Sequence, residues 1–390
     1  MALMLLIFIP LYIKFLGIEA YGLIGFFVML QATLYVLDFG LSQTMNRELA
    51  RYSVQPEKAD EARDLARSLE IGYWGIGLLI GAVIVIAAPF IAGKWIKSSV
   101  ISGGTVQQAV MIMGMLVAVQ WPLSLYGSGL MGLERQVLLA GLKIGMSTLS
   151  GGGAVLVLWL VEPSITAFFT WQIIVSVIQA ALFTILFWRS MPRVERAPRF
   201  EPRLIRGVWR FTAGMGGITL FGVILTQMDK VILSKLLSLG MFGYYVLAGV
   251  ASNVIPVILV GPVFNGIFPR FSSLVVRNDE ASLTLLYHQG TQLLAVLILP
   301  VAALLVFFPY EILLLWTRNV DIALFASPIV PLLSIGMALN GLMVMPYALQ
   351  LSHGWTSIGL FITVFLIITL VPAVYFMATH YGAVGAAAVW

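Results

Sequence analysis

The chain has 390 residues, of which 60% are hydrophobic and only 10% charged, with a formal net charge of +5 and no cysteine. Soluble domains carry about 25% charged residues, so this composition excludes a soluble globular protein and places the chain in a membrane. The absence of cysteine excludes disulfides, thiolate nucleophiles and thiolate metal sites, and the positive charge reads as membrane topology and not as affinity for nucleic acid.

Met1 to Leu11 lacks the basic start and small-residue cleavage site of a secretory signal, so it reads as a first membrane segment. A crossing helix needs roughly 20 apolar residues. On that measure hydropathy predicts about twelve segments, near 1–16, 21–45, 69–92, 107–131, 137–160, 165–188, 208–234, 241–266, 284–308, 325–349, 356–378 and one opening at 383. The first is short and the last stops at Trp390, so both ends read as clipped and the twelfth helix as incomplete.

A pattern occurs twice along these segments. Lys14 stands seven residues before the pair Tyr21-Gly22, and Lys235 stands seven before Phe242-Gly243. The same spacing of about 220 residues relates Gly132-Leu133-Glu134-Arg135 to Leu351-Ser352-His353-Gly354, and Trp171 to Trp390. An even number of spans separates the copies, which predicts two parallel six-helix repeats. The expected division is an N-terminal half over 1–190, a basic, proline-bearing cytoplasmic linker over 191–207, and a C-terminal half over 208–390.

If the turn from Lys14 to Ala20 is external, fifteen Lys and Arg residues fall in the opposite set of loops and only five (Lys14, Lys94, Lys97, Lys235 and Arg318) on its own side. The positive-inside rule then puts the basic set and the N-terminus in the cytoplasm.

Within the spans, Gln31, Tyr35, Asp38, Ser42 and Asn46 fall at helical spacing on one face of segment two. Such a stripe either lines a central cavity or forms a packed polar seam. A carboxylate in a membrane helix costs about 2.5 to 3.5 kcal/mol. Asp38 is therefore expected to form a salt bridge with Lys143 or Lys230, or to act as a gate latch or proton site. Asp229 and Lys230 are adjacent and point about 100° apart, so each is expected to need a partner on another helix. Lys230 reads either as a pin or as a cavity cation. Lys143 lies about two turns into segment five, where it either snorkels or meets an anionic headgroup. Arg47, Arg135, Arg210 and Arg270 mark the inner ends of segments two, four, seven and eight; each can be an anchor, and together they can form a basic mouth for phosphate. No metal cluster, phosphate-cradling loop or Ser-His-Asp arrangement emerges, so no cofactor is expected.

The sequence from Ile9 through Pro10, Tyr12, Lys14, Gly17 and Tyr21 to Leu23, followed by Leu37-Asp38-Phe39-Gly40-Leu41-Ser42 and Asn46-Arg47-Glu48, resembles the opening of the polysaccharide-biosynthesis flippases. These are the Wzx-type O-antigen and capsule transporters of the multidrug/oligosaccharidyl-lipid/polysaccharide superfamily. The likeness continues through Gln227-Met228-Asp229-Lys230, Phe268-Pro269-Arg270 and Tyr381-Gly382-Ala383, although members have a longer first helix and a complete twelfth.

The resemblance implies an all-α, V-shaped bundle of two six-helix halves. It implies a monomeric, non-enzymatic flippase in a bacterial or archaeal cytoplasmic membrane, moving a polyprenyl-diphosphate-linked glycan to the outer leaflet beside membrane lipid and other polysaccharide-assembly proteins. In that role Lys143 and the basic mouth engage the diphosphate inward, and Lys230 and Lys14 outward. Gln31, Tyr35 and Ser42 line the cavity, and Asp38 and Asp229 serve as coupling or gate residues. A multidrug/cation antiporter and a lipid II flippase are the alternatives on the same fold. A membrane glycosyltransferase would need a large external loop or a carboxylate-metal motif, and neither is visible.

Overall fold

The computed structural model describes residues 2–53, 55–192 and 194–390, and every regular element among them is a helix. Hydrocarbon supplies no hydrogen bonds to the backbone, so a segment that crosses it alone must bond within itself, as a helix does. The chain forms two compact units, Leu3–Ile224 and Leu225–Trp390.

The first unit holds α1 (Ala2–Leu34), α2 (Leu41–Tyr52), α3 (Ala59–Phe90), α4 (Gly103–Gly132), α5 (Gln136–Leu160), α6 (Ile165–Ser190) and the beginning of α7 (Pro202–Leu236). α1 is two helices joined at Gly17, whose φ of 81° and ψ of 171° strongly favour a residue without Cβ. The chain doubles back there. Tyr12 and Phe27 would lie about 22 Å apart along one straight helix, yet they pack on the neighbouring Phe168 and Phe169 of α6, with ring centroids 5.2 and 5.6 Å apart.

α3 and α4 approach closely because small residues meet. A Cβ on Gly81 would lie 2.7 Å from the Gly114 carbonyl oxygen and 2.8 Å from the Ala118 Cβ, and one on Gly114 would lie 2.8 Å from the Gly81 carbonyl oxygen. This is the small-residue packing that membrane helices use in place of a hydrophobic drive. At the arginine-bearing end of the unit, Met45, Leu69, Tyr73, Tyr126, Leu130 and Phe187 form one buried cluster.

The expected linker is shorter than 191–207, since α7 already begins at Pro202; Arg193 lies outside the described residues. Its central stretch is buttoned onto α3. The buried Asp64 accepts from the Arg196 guanidinium and from the Arg199 amide at 2.7 Å, and Ser68 Oγ accepts the Glu201 amide at 2.8 Å. Arg63 donates to the Pro192 carbonyl at 2.9 Å.

The second unit contains the rest of α7, α8 (Leu239–Ser252), α9 (Gly261–Val276), α10 (Glu280–Phe307), the short α11 (Pro309–Thr317) and α12 (Val320–Ala326), α13 (Val330–Leu342), α14 (Val344–Ser352) and α15 (Thr356–Val389). Ser238 occupies the repeat position of Gly17 but turns the chain differently, its hydroxyl accepting the Met241 amide as an N-cap. Around Pro256 the chain winds into a π-helix, Ile255–Val260. α15 is broken at Gly382 (φ 62°), beside the position where the last segment was expected to open.

Among the described residues nine helices are long and apolar enough to cross a membrane, against about twelve expected segments. The first two expected segments overlap one of the nine and the last two another, each pair divided by a glycine.

Gly81→Val should destabilise the first unit by about 1 to 3 kcal/mol, the usual cost of overpacking. Gly75→Ala, where a Cβ meets nothing within 4 Å, should not. Thermal unfolding of the purified chain in detergent distinguishes the two.

Candidate functional site

The polar stripe expected over 21–45 does not follow one continuous helix. After Leu34 the backbone tightens into a 3₁₀ turn, Tyr35–Asp38, then takes left-handed φ at Phe39 (47°) and Gly40 (79°), and α2 starts afresh at Leu41. Such geometry is uncommon for a bulky residue like Phe39. Donors at the break find partners nearby. Phe39 donates its amide to the Val36 carbonyl at 3.1 Å, and Thr44 donates both its amide and its hydroxyl to the Gly40 carbonyl, at 3.0 and 2.9 Å.

Asp38 closes the break, and only 2% of it is exposed. Its Oδ2 accepts the Ser42 hydroxyl at 2.8 Å and the Ser42 amide at 3.3 Å, while Oδ1 accepts the Tyr73 hydroxyl from α3. The Ser42 amide is one of the first-turn donors that no helical carbonyl reaches, so the carboxylate sits on the positive end of α2. The expected salt bridge to Lys143 is absent. Within its unit Asp38 pairs with no described Lys or Arg, and Lys143 is exposed on α5. Three neutral donors and a helix terminus do the work assigned to a cation.

Gln31, Tyr35 and Asp38 face Gln120, Trp121 and Ser124 of α4 across a cleft of about 150 Å³. Gln31 donates to Gln120 Oε1, and Gln120 Nε2 donates to the Ser176 hydroxyl of α6 at 2.7 Å. Ser42 stands behind Asp38, with its Oγ 3.5 Å from the Tyr35 hydroxyl. Asn46 leaves the cleft altogether: a Cβ on Gly132 would lie 2.4 Å from the Asn46 carbonyl oxygen.

The sequence reading missed Tyr73, Gln120, Trp121, Ser124 and Ser176. Gln120 and Ser124, at i and i+4 in an apolar span, were the available signal. Tyr73 and Ser176 gave none, because a single hydroxyl in a span is ordinary. Also missed was Glu70, buried near the arginine-bearing end, which accepts from the Tyr126 hydroxyl at 2.6 Å, the Trp188 indole at 3.1 Å and Arg67 at 2.6 Å.

In the second unit Asp229 Oδ2 accepts from the Tyr245 hydroxyl of α8 at 2.7 Å and from the Trp390 indole at 3.2 Å. Lys230 departs from expectation. Its Nζ lies 3.6 Å from Asp229 Oδ1 and donates to the Thr226 carbonyl at 3.1 Å, so both contacts are on its own helix. A four-carbon stem folds back along α7 far enough to reach them.

The remaining candidates are dispersed. Lys14 is exposed on α1, Arg135 is exposed between α4 and α5, and Arg270 is exposed on α9 of the second unit. Arg47 lies 3.8 Å from Glu48, which Arg51 also approaches. The Arg210 side chain lies outside the described residues. Gly132 and Asn46 do bring the ends of α4 and α2 that bear Arg135 and Arg47 against each other.

Apolar helices packed through glycines, with a polar cleft inside the first unit, define a multi-pass membrane protein. A family model described as "Polysaccharide biosynthesis protein" matches residues 1–275, and the chain belongs to that family. Its fold is that of the MOP superfamily transporters. It is similar to an inward-facing multidrug resistance MATE family transporter of that superfamily (TM-score 0.77, 14% identity, 100% of this chain and 90% of that one covered). It is also similar to the lipid II flippase MurJ in an inward closed conformation (TM-score 0.67, 13% identity, 95% and 81% covered) and to a MOP superfamily transporter from Pyrococcus furiosus (TM-score 0.59, 12% identity, 99% and 90% covered). At these identities the likeness is one of fold. Comparison with curated protein sequences gives no match.

Tyr73→Phe should leave Asp38 Oδ1 short of a donor and cost about 1 to 3 kcal/mol of stability. Because Ser42 and Tyr73 serve one carboxylate, Ser42→Ala combined with Tyr73→Phe should be non-additive in a thermal-unfolding cycle.

Proposed function

We propose that this chain moves a polyprenyl-diphosphate-linked oligosaccharide from the cytoplasmic to the outer leaflet of a prokaryotic cytoplasmic membrane, with its N-terminus in the cytoplasm. The observation that carries this reading is the polysaccharide-biosynthesis family match over 1–275 on a transporter fold. The physical problem is to pass a diphosphate and its sugars through hydrocarbon while the prenyl tail stays in it. A hydrated path lowers the desolvation cost of the headgroup, and a lateral opening lets the tail remain in lipid.

In this reading the exposed Lys143, together with Arg47, Arg135, Arg210 and Arg270, engages the diphosphate from the cytoplasmic side. Lys230 and Lys14 receive it on the other side, and Asp229 holds Lys230. A membrane potential supplies about 2.3 kcal/mol per charge per 100 mV. A potential negative inside favours outward movement of an anion, so a diphosphate needs no coupled ion. One observation favours the competing reading, cation antiport: Asp38 is a buried carboxylate at the edge of a cleft.

Proteoliposomes carrying a fluorescent undecaprenyl-diphosphate oligosaccharide should show leaflet transfer that strengthens with the imposed potential. Lys143→Glu should abolish transfer at unchanged protein yield; normal transfer in that variant removes Lys143 from the path. Asp38→Asn should retain the potential dependence. A wild-type flux that follows pH or sodium, with that dependence lost in Asp38→Asn, would transfer the chain to the antiporter branch.

A further inference from the structure

We infer that the cleft of the first unit is a subsite for a neutral sugar ring of the transported headgroup. Trp121 supplies the surface on which the ring's C–H face rests, and Gln31, Gln120 and Ser124 supply partners for its hydroxyls. The inference rests on the reading of the chain as a carrier of lipid-linked glycan, and it locates the recognition of sugar apart from that of diphosphate.

The chemistry of the lining selects the ligand class. A phosphate needs cationic donors, and among the described residues this lining brings a carboxylate and no Lys or Arg. An organic cation needs a carboxylate that it can approach. Asp38 accepts from Tyr73 on one oxygen and from Ser42 on the other, and 2% of the residue is exposed, so little of its surface meets the cleft. A purely apolar ligand would cover amides and hydroxyls without bonding them, which costs free energy at each.

A neutral polyol matches what remains. Beyond the chain from Gln31 through Gln120 to Ser176, each glutamine amide keeps a second N–H and an acceptor lone pair, and the Ser124 hydroxyl, which donates to the Trp121 carbonyl at 3.1 Å, still accepts; the indole of Trp121 offers apolar surface to one side of a pyranose. Trp121 is also held in place from behind: a Cβ on Gly77 would lie 2.9 Å from its Cβ. Gln120 is steadied from α6 by Ser176 at 2.7 Å. The cleft, of about 150 Å³, admits a group larger than a single water.

The test uses the full chain in lipid nanodiscs with three probes: undecaprenyl diphosphate bearing a neutral oligosaccharide, bare undecaprenyl diphosphate, and tetraphenylphosphonium. Trp121→Ala removes the stacking surface and Ser124→Leu fills the cleft; the second variant covers the case in which the first does not fold. Each is expected to narrow the preference for the glycosylated over the bare lipid by about tenfold. An unchanged preference in the folded variants overturns the subsite, as does loss of tetraphenylphosphonium binding in place of glycan preference. If the wild-type chain binds neither lipid, the flippase reading itself fails and the subsite with it.

Discussion

A peptide group that enters hydrocarbon without a partner costs several kcal/mol, and the helices, their interruptions and the candidate site all answer to that cost. Two of the interruptions carry their own remedy. At the 35–40 break the Val36 and Gly40 carbonyls and the Asp38 carboxylate take up the freed donors. Across 255–260 the bonding shifts to the wider π pattern, with the Gly261 amide reaching the Pro256 carbonyl. The break that shapes the cleft is therefore held by the residue that gives the cleft its charge, so structure and chemistry at Asp38 are not separable.

A common solution recurs for buried carboxylates. Asp38, Glu70 and Asp229 each accept a tyrosine hydroxyl, from Tyr73, Tyr126 and Tyr245 respectively, and the latter two also accept an indole N–H. In a low-dielectric interior hydrogen bonds from neutral donors are strong, and an aromatic donor brings apolar surface that packs against lipid-compatible neighbours. Arginine and lysine stay where water or headgroups reach them, as the exposed Lys14, Lys143, Arg135 and Arg270 do. In the proposed flippase this separation has a use: cations at the accessible surfaces are assigned to the diphosphate and neutral hydrogen-bonding groups in the interior to the sugar.

Much of the architecture was legible in the sequence because membrane helices announce themselves by length and hydropathy. The turns near Gly17 and Gly382 fell where the apolar runs paused. The repeat marked by Lys14 and Lys235 pointed to equivalent turns, although the chain makes one with a left-handed glycine and the other with a capping serine. What misled was periodicity carried too far. Gln31, Tyr35, Asp38, Ser42 and Asn46 sit at helical spacing, but the backbone abandons the helix at Tyr35, and Asn46 ends against Gly132. The partner of Asp38 was sought among the rare cations when it stood among the common hydroxyls.

By itself the sequence determined that the chain lives in a membrane, where its turns fall and which family it resembles, because these rest on local composition, spacing and motif. Only the tertiary structure decided which polar residues meet. Tyr73 reaches Asp38 from thirty-five residues away, and Gln120 and Trp121 face Gln31 from about ninety because α3, α4 and the second half of α1 pack together. In hydrocarbon the pairing of a lone polar group is set by which helix lies beside it, and helix neighbours are settled by glycine contacts such as Gly81 against Gly114 that no single-segment pattern encodes.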